Sequence, residues 1–458
     1  MRTGELGFWW RSLGGQPPPR EPLGGDAEAD VAIVGAGYTG LWTAYYLKRA
    51  QPSLRIVVLE AEQAGFGASG RNGGWVSGFF SGPSRLYERS GGRTAYVALQ
   101  GEMFATVREI GEVLARERID ADFVAGGHLQ VALNAAQVAR VRDHVRQLHV
   151  YGFDERDVRE LAGDELDARV RVSGARIAAF SPHVARVHPA KLLVGLAQAV
   201  ERSGVTIHER TPVRELTPGE ARTDRGVVRA RWIVRATEGY TASLRGVRRA
   251  LVPINSSMIV TEPLAPSVWR EIGWQRREVI DDAAHVFAYL QRTADGRIAI
   301  GGRGVPYRFG SGTDGDGQIA RATVDQLRAK LHAMFPAVAG VAIEHAWSGV
   351  LGVARDWGVT VDADARGGLA WAGGYVGEGV AAANLAARTL RDLLLDEPSE
   401  LTALGWVGRR PRRWEPEPLR WASIRGVYAL YRLADRGERR SGHSSRLGRL
   451  VDRASGRR

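Results

Sequence analysis

The sequence predicts an α/β fold, α+β overall, in which a parallel sheet is interrupted by a second, mixed sheet and followed by a basic helical extension. Three observations predict it. The stretch "ADVAIVGAGYTGLWTAYYLKRA" passes from an apolar run through three glycines into a helical pattern. "RIVVLE" then supplies a second short apolar run ending in an acid. Far downstream, "GGLAWAGGYVGEGVAAANLAARTLRDLLL" repeats the order of strand, glycine turn and helix, with a strand over Leu369 to Ala372 and a helix from about Gly379.

A chain of 458 residues is long for one core and predicts two or three domains. With 44% hydrophobic and 25% charged residues, it has the composition of a soluble globular protein. Cysteine is absent, which excludes disulfides, thiolate metal sites, a Cys nucleophile and a cysteinyl cofactor bond. The ten histidines are scattered, and the pair His183 and His188 lacks the spacing of a metal motif, so no metal is expected. The N-terminus reads as an extended arm over residues 1–27, without an export signal, whose Phe8, Trp9 and Trp10 dock on the folded body or expose a partner site. The most apolar long stretch, Gly367 to Ala387, is broken by glycines and Glu378 and does not read as a membrane span; a cytoplasmic location is expected.

Charge is unevenly distributed. Of the net +12, ten charges lie from Gly405 onward, where fifteen arginines face five acids. The body therefore presents no nucleic-acid surface, and nucleic acid is not an expected partner.

In the first motif, Gly35 makes a tight turn, Gly37 admits a pyrophosphate to the backbone, and Gly40 lets the helix lie close on the strand. The helix N-terminus offers free N–H groups to the anion. Glu60, closing the second strand, suits the ribose hydroxyls and repels a 2′-phosphate, which argues against NADP. "AGFGASGRNGGW" follows at once, with five glycines between residues 65 and 74. A second run of bare backbone here would track the remainder of a long cofactor, favouring FAD over NAD; the competing reading is a mobile surface loop. Ser69 can donate to phosphate, and Arg71 and Asn72 can reach a flavin edge or a substrate. The helix from Gly379 would direct roughly half a positive unit charge at the flavin pyrimidine, unless it is simply a buried helix packed through its alanines.

Together with "HPAKLLVGLAQAVERSGVTIHERTPV", these motifs resemble the D-amino-acid-oxidase superfamily of FAD-dependent amine oxidases, and most of all its gamma-glutamylputrescine oxidase-like branch, from Asp30 to Leu395. The resemblance implies a Rossmann-like FAD-binding domain of the glutathione-reductase type. Gly35, Gly37, Gly40 and Glu60 match its ADP-binding residues, and Ser69, Gly70, Arg71, Asn72, Gly73 and Gly74 its pyrophosphate and flavin loop. Val213 stands where the adenine meets main chain; Thr237 precedes Glu238, where the family has Gly or Asn. Trp347, Ser348 and Gly349 resemble a turn near the flavin face, and Gly377, Gly379 and Val380 the final flavin-edge turn. The residues used for covalent attachment are missing, so the FAD is expected to be noncovalent.

The implied organisation is an arm (1–27), a discontinuous FAD domain (28–85, 180–250, 345–400), a substrate domain (86–179, 251–344) and the basic extension (401–458). "HVFAYLQRTADGRIAIGG" reads as a hairpin turning at "ADG". The family often holds a substrate carboxylate by Arg and Tyr on such strands, so Arg71, Tyr289, Arg292 and Trp347 become candidates for positioning substrate, with Arg303 following the second arm; solvated strand charge is the competing reading for each arginine. "DDAAH", Asp281 to His285, looks like a ribose motif out of place and is set aside. The implied reaction is oxidation of an amine or amino acid by hydride transfer to flavin N5, hydrolysis of the imine, and reoxidation by O2 giving H2O2, or by another acceptor. An NAD(P)H-dependent flavin hydroxylase, or a flavin-stabilised binding protein acting through its tail, are the alternatives. In the tail, Ser423 to Arg440 predicts a helix with Ile424, Val427, Tyr428 and Tyr431 on one face, docking on its own body, a partner or an anionic membrane surface.

Overall fold

The strand Ala27–Val34 ends in Val31, Ala32, Ile33 and Val34, apolar on both faces, and such a strand is stable only inside a covered sheet. A computed structural model describes residues 1–456, except Glu5, Val305 and Asp314. It places this strand between Val227–Arg235 and Ile56–Leu59, parallel to both. Thr206–His208 extends the parallel sheet on one side and Leu369–Gly373 on the other. The antiparallel strands Val213–Thr217, Glu220–Thr223 and Thr360–Asp364 complete it. Helices Tyr38–Ala50, Pro189–Arg202 and Gly379–Leu395 bury Leu41, Leu196 and Leu385 in the core beside it.

The second sheet is mixed. Along it run Arg2–Thr3, Ile343–Val353, Val252–Thr261, Ile298–Gly302, Tyr289–Arg292, Val279–Asp282, His128–Ala132, Ile177–Ser181 and Arg159–Ala162. Its apolar side packs Ile259, Leu290 and Ile300 against Leu327 and Leu331 of the helix Arg321–Met334. Ile343–Val353 pairs with Val252–Thr261 along its length, so the second sheet includes the strand that crosses the expected boundary at residue 345. The long strand is a wall shared by both sheets' cores, with Trp347 in one and Ala346 in the other, as side-chain alternation requires.

The N-terminal arm docks on the body through Phe8, Trp9 and Trp10 as expected, but it is not extended throughout. Arg2–Thr3 joins the sheet beside His345 and Ala346, and Phe8–Arg11 is a short helix with all three aromatics buried. Consecutive residues on a helix point in three directions, so the body must surround this turn rather than lie beneath an extended strand. At the other end, the helix Leu419–Ser441 is longer than predicted and is followed by Arg446–Ser455. Asp435 accepts the His285 and Val286 N–H groups, and Glu438 pairs with Arg140 at 2.6 Å.

Candidate active site

Gly35 ends the first strand with φ +110°, and a Cβ there would stand 2.5 Å from the Ala236 carbonyl oxygen. A Cβ on Gly40 would fall 1.9 Å from the Gly35 oxygen, so helix and turn touch backbone to backbone. The following helix, Tyr38–Ala50, has no side-chain cap on Gly37; the Ser69 hydroxyl oxygen accepts the Tyr38 N–H at 2.9 Å from across the site. The helix Gly379–Leu395 is likewise without a side-chain cap. The two helix starts face one cavity of about 490 Å³, lined by Gly35, Gly37, Ser69, Gly377, Gly379 and Val380.

Uncapped N–H groups and two positive helix ends suit an anion. Glu60, Val213 and Thr237 line the same cavity. Glu60 accepts the Ala36 N–H at 2.8 Å and the Glu62 N–H at 3.1 Å. Burial nonetheless pushes its carboxyl up to about 7. Glu238 accepts the Tyr375 N–H at 2.9 Å, ties Thr237 to the distal turn, and is also pushed up to about 7 by burial.

The turn beyond Leu369–Gly373 alternates between two spaces. Tyr375 and Gly377 face the first cavity, while Val376 and Glu378 line a second of about 340 Å³. Phe79, Tyr289, Asp281, Arg303 and Tyr428 form other parts of its wall. Asp282 pairs with Lys330 at 3.0 Å, and Arg140 with Glu438. Asp281 meets His128 at 3.0 Å. The Glu378 carboxyl is raised by burial, opposed first by the Ser77 hydroxyl and then by His128. The wall thus presents three carboxylates, Asp281, Asp282 and Glu378, and two guanidinium groups, Arg140 and Arg303, of which Asp282 is engaged by Lys330, Asp281 by His128 and Arg140 by Glu438.

A family model described as FAD dependent oxidoreductase (DAO) matches residues 30–393. The chain belongs to this family. This oxidoreductase is 30% identical over 409 residues to "Gamma-glutamylputrescine oxidoreductase" of Escherichia coli (strain K12), covering 86% of this chain and 90% of that one. "Probable oxidoreductase OrdL" of Rhizobium meliloti (strain 1021) is 28% identical, with coverage of 86% and 90%. Among solved structures, glycine oxidase from Geobacillus kaustophilus superposes with TM-score 0.69 at 18% identity, covering 81% of this chain and 96% of that one. L-Amino acid deaminase from Proteus myxofaciens gives TM-score 0.69 at 15% identity, covering 87% and 96%. The residues present could hold the FAD of this family: the Gly35–Gly37 turn, whose helix has no cap from Gly37, could take the pyrophosphate, Glu60 the ribose, and the Gly377–Val380 turn the far end.

The loop after Glu60 has a different part in the oxidoreductase from the one its residue types suggest. The Asn72 amide donates to Ala68 and Ser69 carbonyls and its oxygen accepts the Gly74 N–H, so the side chain, although at the cavity edge, fastens its own loop. The Arg71 carbonyl accepts the Trp347 Nε1–H at 2.9 Å, and the Asn72 carbonyl that of Trp9 at 2.8 Å. Neither Arg71 nor Trp347 is in the lining of either cavity; both are buried, and Arg71 donates to the Gly315 carbonyl. Gly40, Gly70, Gly73, Gly74 and Gly349 stand behind the lining, where neighbours press close: the Tyr289 ring lies 2.7 Å from a Cβ built on Gly73.

Of the substrate candidates, Tyr289 reaches the second cavity, its hydroxyl 2.9 Å from that of Ser256. Arg292 is not in its lining: it donates to the Trp274 carbonyl and stacks 3.9 Å over Trp269. Arg303, three residues beyond the other arm's Ile300, takes the place facing the cavity. Asp281 and Glu378 are the residues that sequence reasoning missed. Asp281 lies in the motif set aside as misplaced, and the alternation of Val376 and Glu378 against Tyr375 and Gly377 was the available signal. His285, Asp435 and Glu438 come within metal-ligating distance of one another, but Arg140 bonds both His285 and Glu438 and two backbone N–H groups fill Asp435, so a cation already holds that cluster together.

Proposed function

We propose that this chain oxidises an amine or amino acid at the carbon bearing nitrogen, with preference for a cationic amine. The observation that carries the reading is the turn 375–379, which joins a dinucleotide cavity to a cavity walled by Glu378 and Asp281. Bound FAD supplies a two-electron acceptor for the hydride that leaves that carbon. The chain's own residues prepare the substrate. Glu378 and Asp281 attract the ammonium, and a Glu378 carboxylate oxygen takes its proton, which suits a carboxyl raised by burial. Tyr289 and Phe79 limit water and hold the carbon in place, and Arg303 selects an anionic group elsewhere on the substrate. The imine then hydrolyses in water. The name of the 30%-identical relative supports an acylated diamine as the first compound to test. The inner face of the helix Leu419–Ser441 brings Tyr428 to the same wall, so we read the C-terminal extension as docked on the body.

The test is anaerobic mixing of the purified yellow protein with γ-glutamylated diamines, free diamines and amino acids. Bleaching of the flavin by an amine, and peroxide release when air is admitted, are the expected results. Glu378→Gln should raise KM for the cationic substrate by about tenfold or more. Bleaching by NADPH and not by any amine would replace this reading with that of a hydroxylase.

A further inference from the structure

We infer that the outer face of the C-terminal extension is a docking surface for a bilayer rich in anionic headgroups. The five acids of the extension are all engaged on its inner side. Glu415 pairs with Arg355 at 2.9 Å, and Glu417 takes the Tyr307 hydroxyl at 2.6 Å. Asp435 and Glu438 meet His285 and Arg140, and Asp452 accepts the Tyr431 hydroxyl at 2.8 Å.

What remains outside is basic and apolar together. Arg425, Arg436, Arg439, Arg440, Arg446 and Arg449 are exposed, and none has a carboxylate partner among the described residues. Among them stand Leu419, Leu433 and Leu450, exposed by 62%, 52% and 65%, with Trp421 and Leu430 beside them. On the long helix, Leu419, Ala422, Gly426, Ala429, Leu433 and Gly437 recur at three- and four-residue spacing, a narrow apolar stripe bordered on one side by Arg425, Arg436 and Arg439. It points away from the face that carries Ile424, Tyr428 and Tyr431.

Charge selects an anionic partner, and the leucines select lipid among anionic partners. A single strand of nucleic acid is gripped by aromatic faces in a groove; here the protruding groups are aliphatic, and the Trp421 ring has the Arg425 guanidinium 5.6 Å from its centre. Arginines bordering an apolar stripe match an interfacial helix, whose side chains enter the acyl boundary while the cations meet headgroups. No described helix is long and apolar enough to cross a membrane, so the contact is peripheral.

The full-length, FAD-loaded protein is sedimented with vesicles of phosphatidylcholine alone and of phosphatidylcholine mixed with phosphatidylglycerol. It should pellet with the mixed vesicles at low salt and be released by high salt. Leu433→Ser with Leu450→Ser, and separately Arg436→Gln with Arg440→Gln, should each cut partitioning by about tenfold while leaving flavin content and amine turnover unchanged. Failure of the wild type to bind mixed vesicles, or equal binding to both vesicle types, overturns the proposal. So does binding of single-stranded RNA or self-association that the same substitutions abolish while vesicle binding persists.

Discussion

Gly37 shows what a single residue controls here. Its Cβ would stand 2.9 Å from the Ser69 hydroxyl oxygen, the atom that accepts the Tyr38 N–H across the anion site. Gly37→Val should therefore yield folded, colourless protein; a normal flavin spectrum would refute the placement of the pyrophosphate. Glu238 makes a prediction in pH. Its carboxyl moves from 4.5 to about 7 on folding, because burial disfavours its charge. The folded state then binds the proton more tightly, so the contribution of Glu238 to stability is greatest below 4.5, falls as pH rises through this window, and is lower by about 3 kcal/mol above it. Glu238→Gln removes that dependence. Thermal scans of the apoprotein at both ends of the window should show a smaller loss for the variant than for wild type, and an equal loss would refute the assignment. Glycines such as Gly35 and Gly40 were legible because their requirement is local, a backbone contact within one turn. Arg292 and Arg303 were not distinguishable, since which one faces a cavity depends on Trp269 and Trp274, which pack against Arg292 from another segment.

At the scale of elements, the glycine loop 65–74 is shaped by distant tryptophans. Trp9 and Trp347 each donate an indole N–H to a loop carbonyl, and Trp10 lies against Gly70. The N-terminal helix Phe8–Arg11 is thus an outer brace for the loop proposed to run along the cofactor. Trp9→Phe keeps most of the packing and deletes one donor, leaving the Asn72 carbonyl short of a partner at a cost of about 1–3 kcal/mol. Its expected signature is faster FAD loss on dilution, followed by flavin fluorescence, with little change in secondary structure. Unaltered FAD retention would show that the brace is dispensable. The sequence made the aromatic run conspicuous, but nothing local could say what covers it, because its partners lie beyond residue 60 and at 347. The central strands and the helix from Gly379 were legible for the opposite reason: each carries its own apolar period and glycine punctuation.

For the whole molecule, the cavity proposed for the cofactor is assembled from Gly35, Glu60, Val213, Thr237 and Gly377, segments remote in sequence that meet only in the folded chain. The unfolded chain has no such site, so FAD binding is linked to global stability rather than to one loop. The motifs of these separate segments were legible in the sequence, but not that Ile343–Val353 would serve both cores, because a strand's partners are nonlocal. Linkage gives a quantitative expectation: free FAD at about a hundred times its Kd should add about 2.7 kcal/mol to unfolding, and a further tenfold excess about 1.4 more. Urea unfolding of the apoprotein across an FAD series measures it. A midpoint that rises with AMP and rises further with FAD at the same free concentration would support a contribution from both halves, since AMP would occupy only the Gly35 to Glu60 half and leave the Gly377 turn empty. A midpoint indifferent to FAD, or raised equally by AMP, would place the distal turn outside the cofactor site and remove the link between the two cavities.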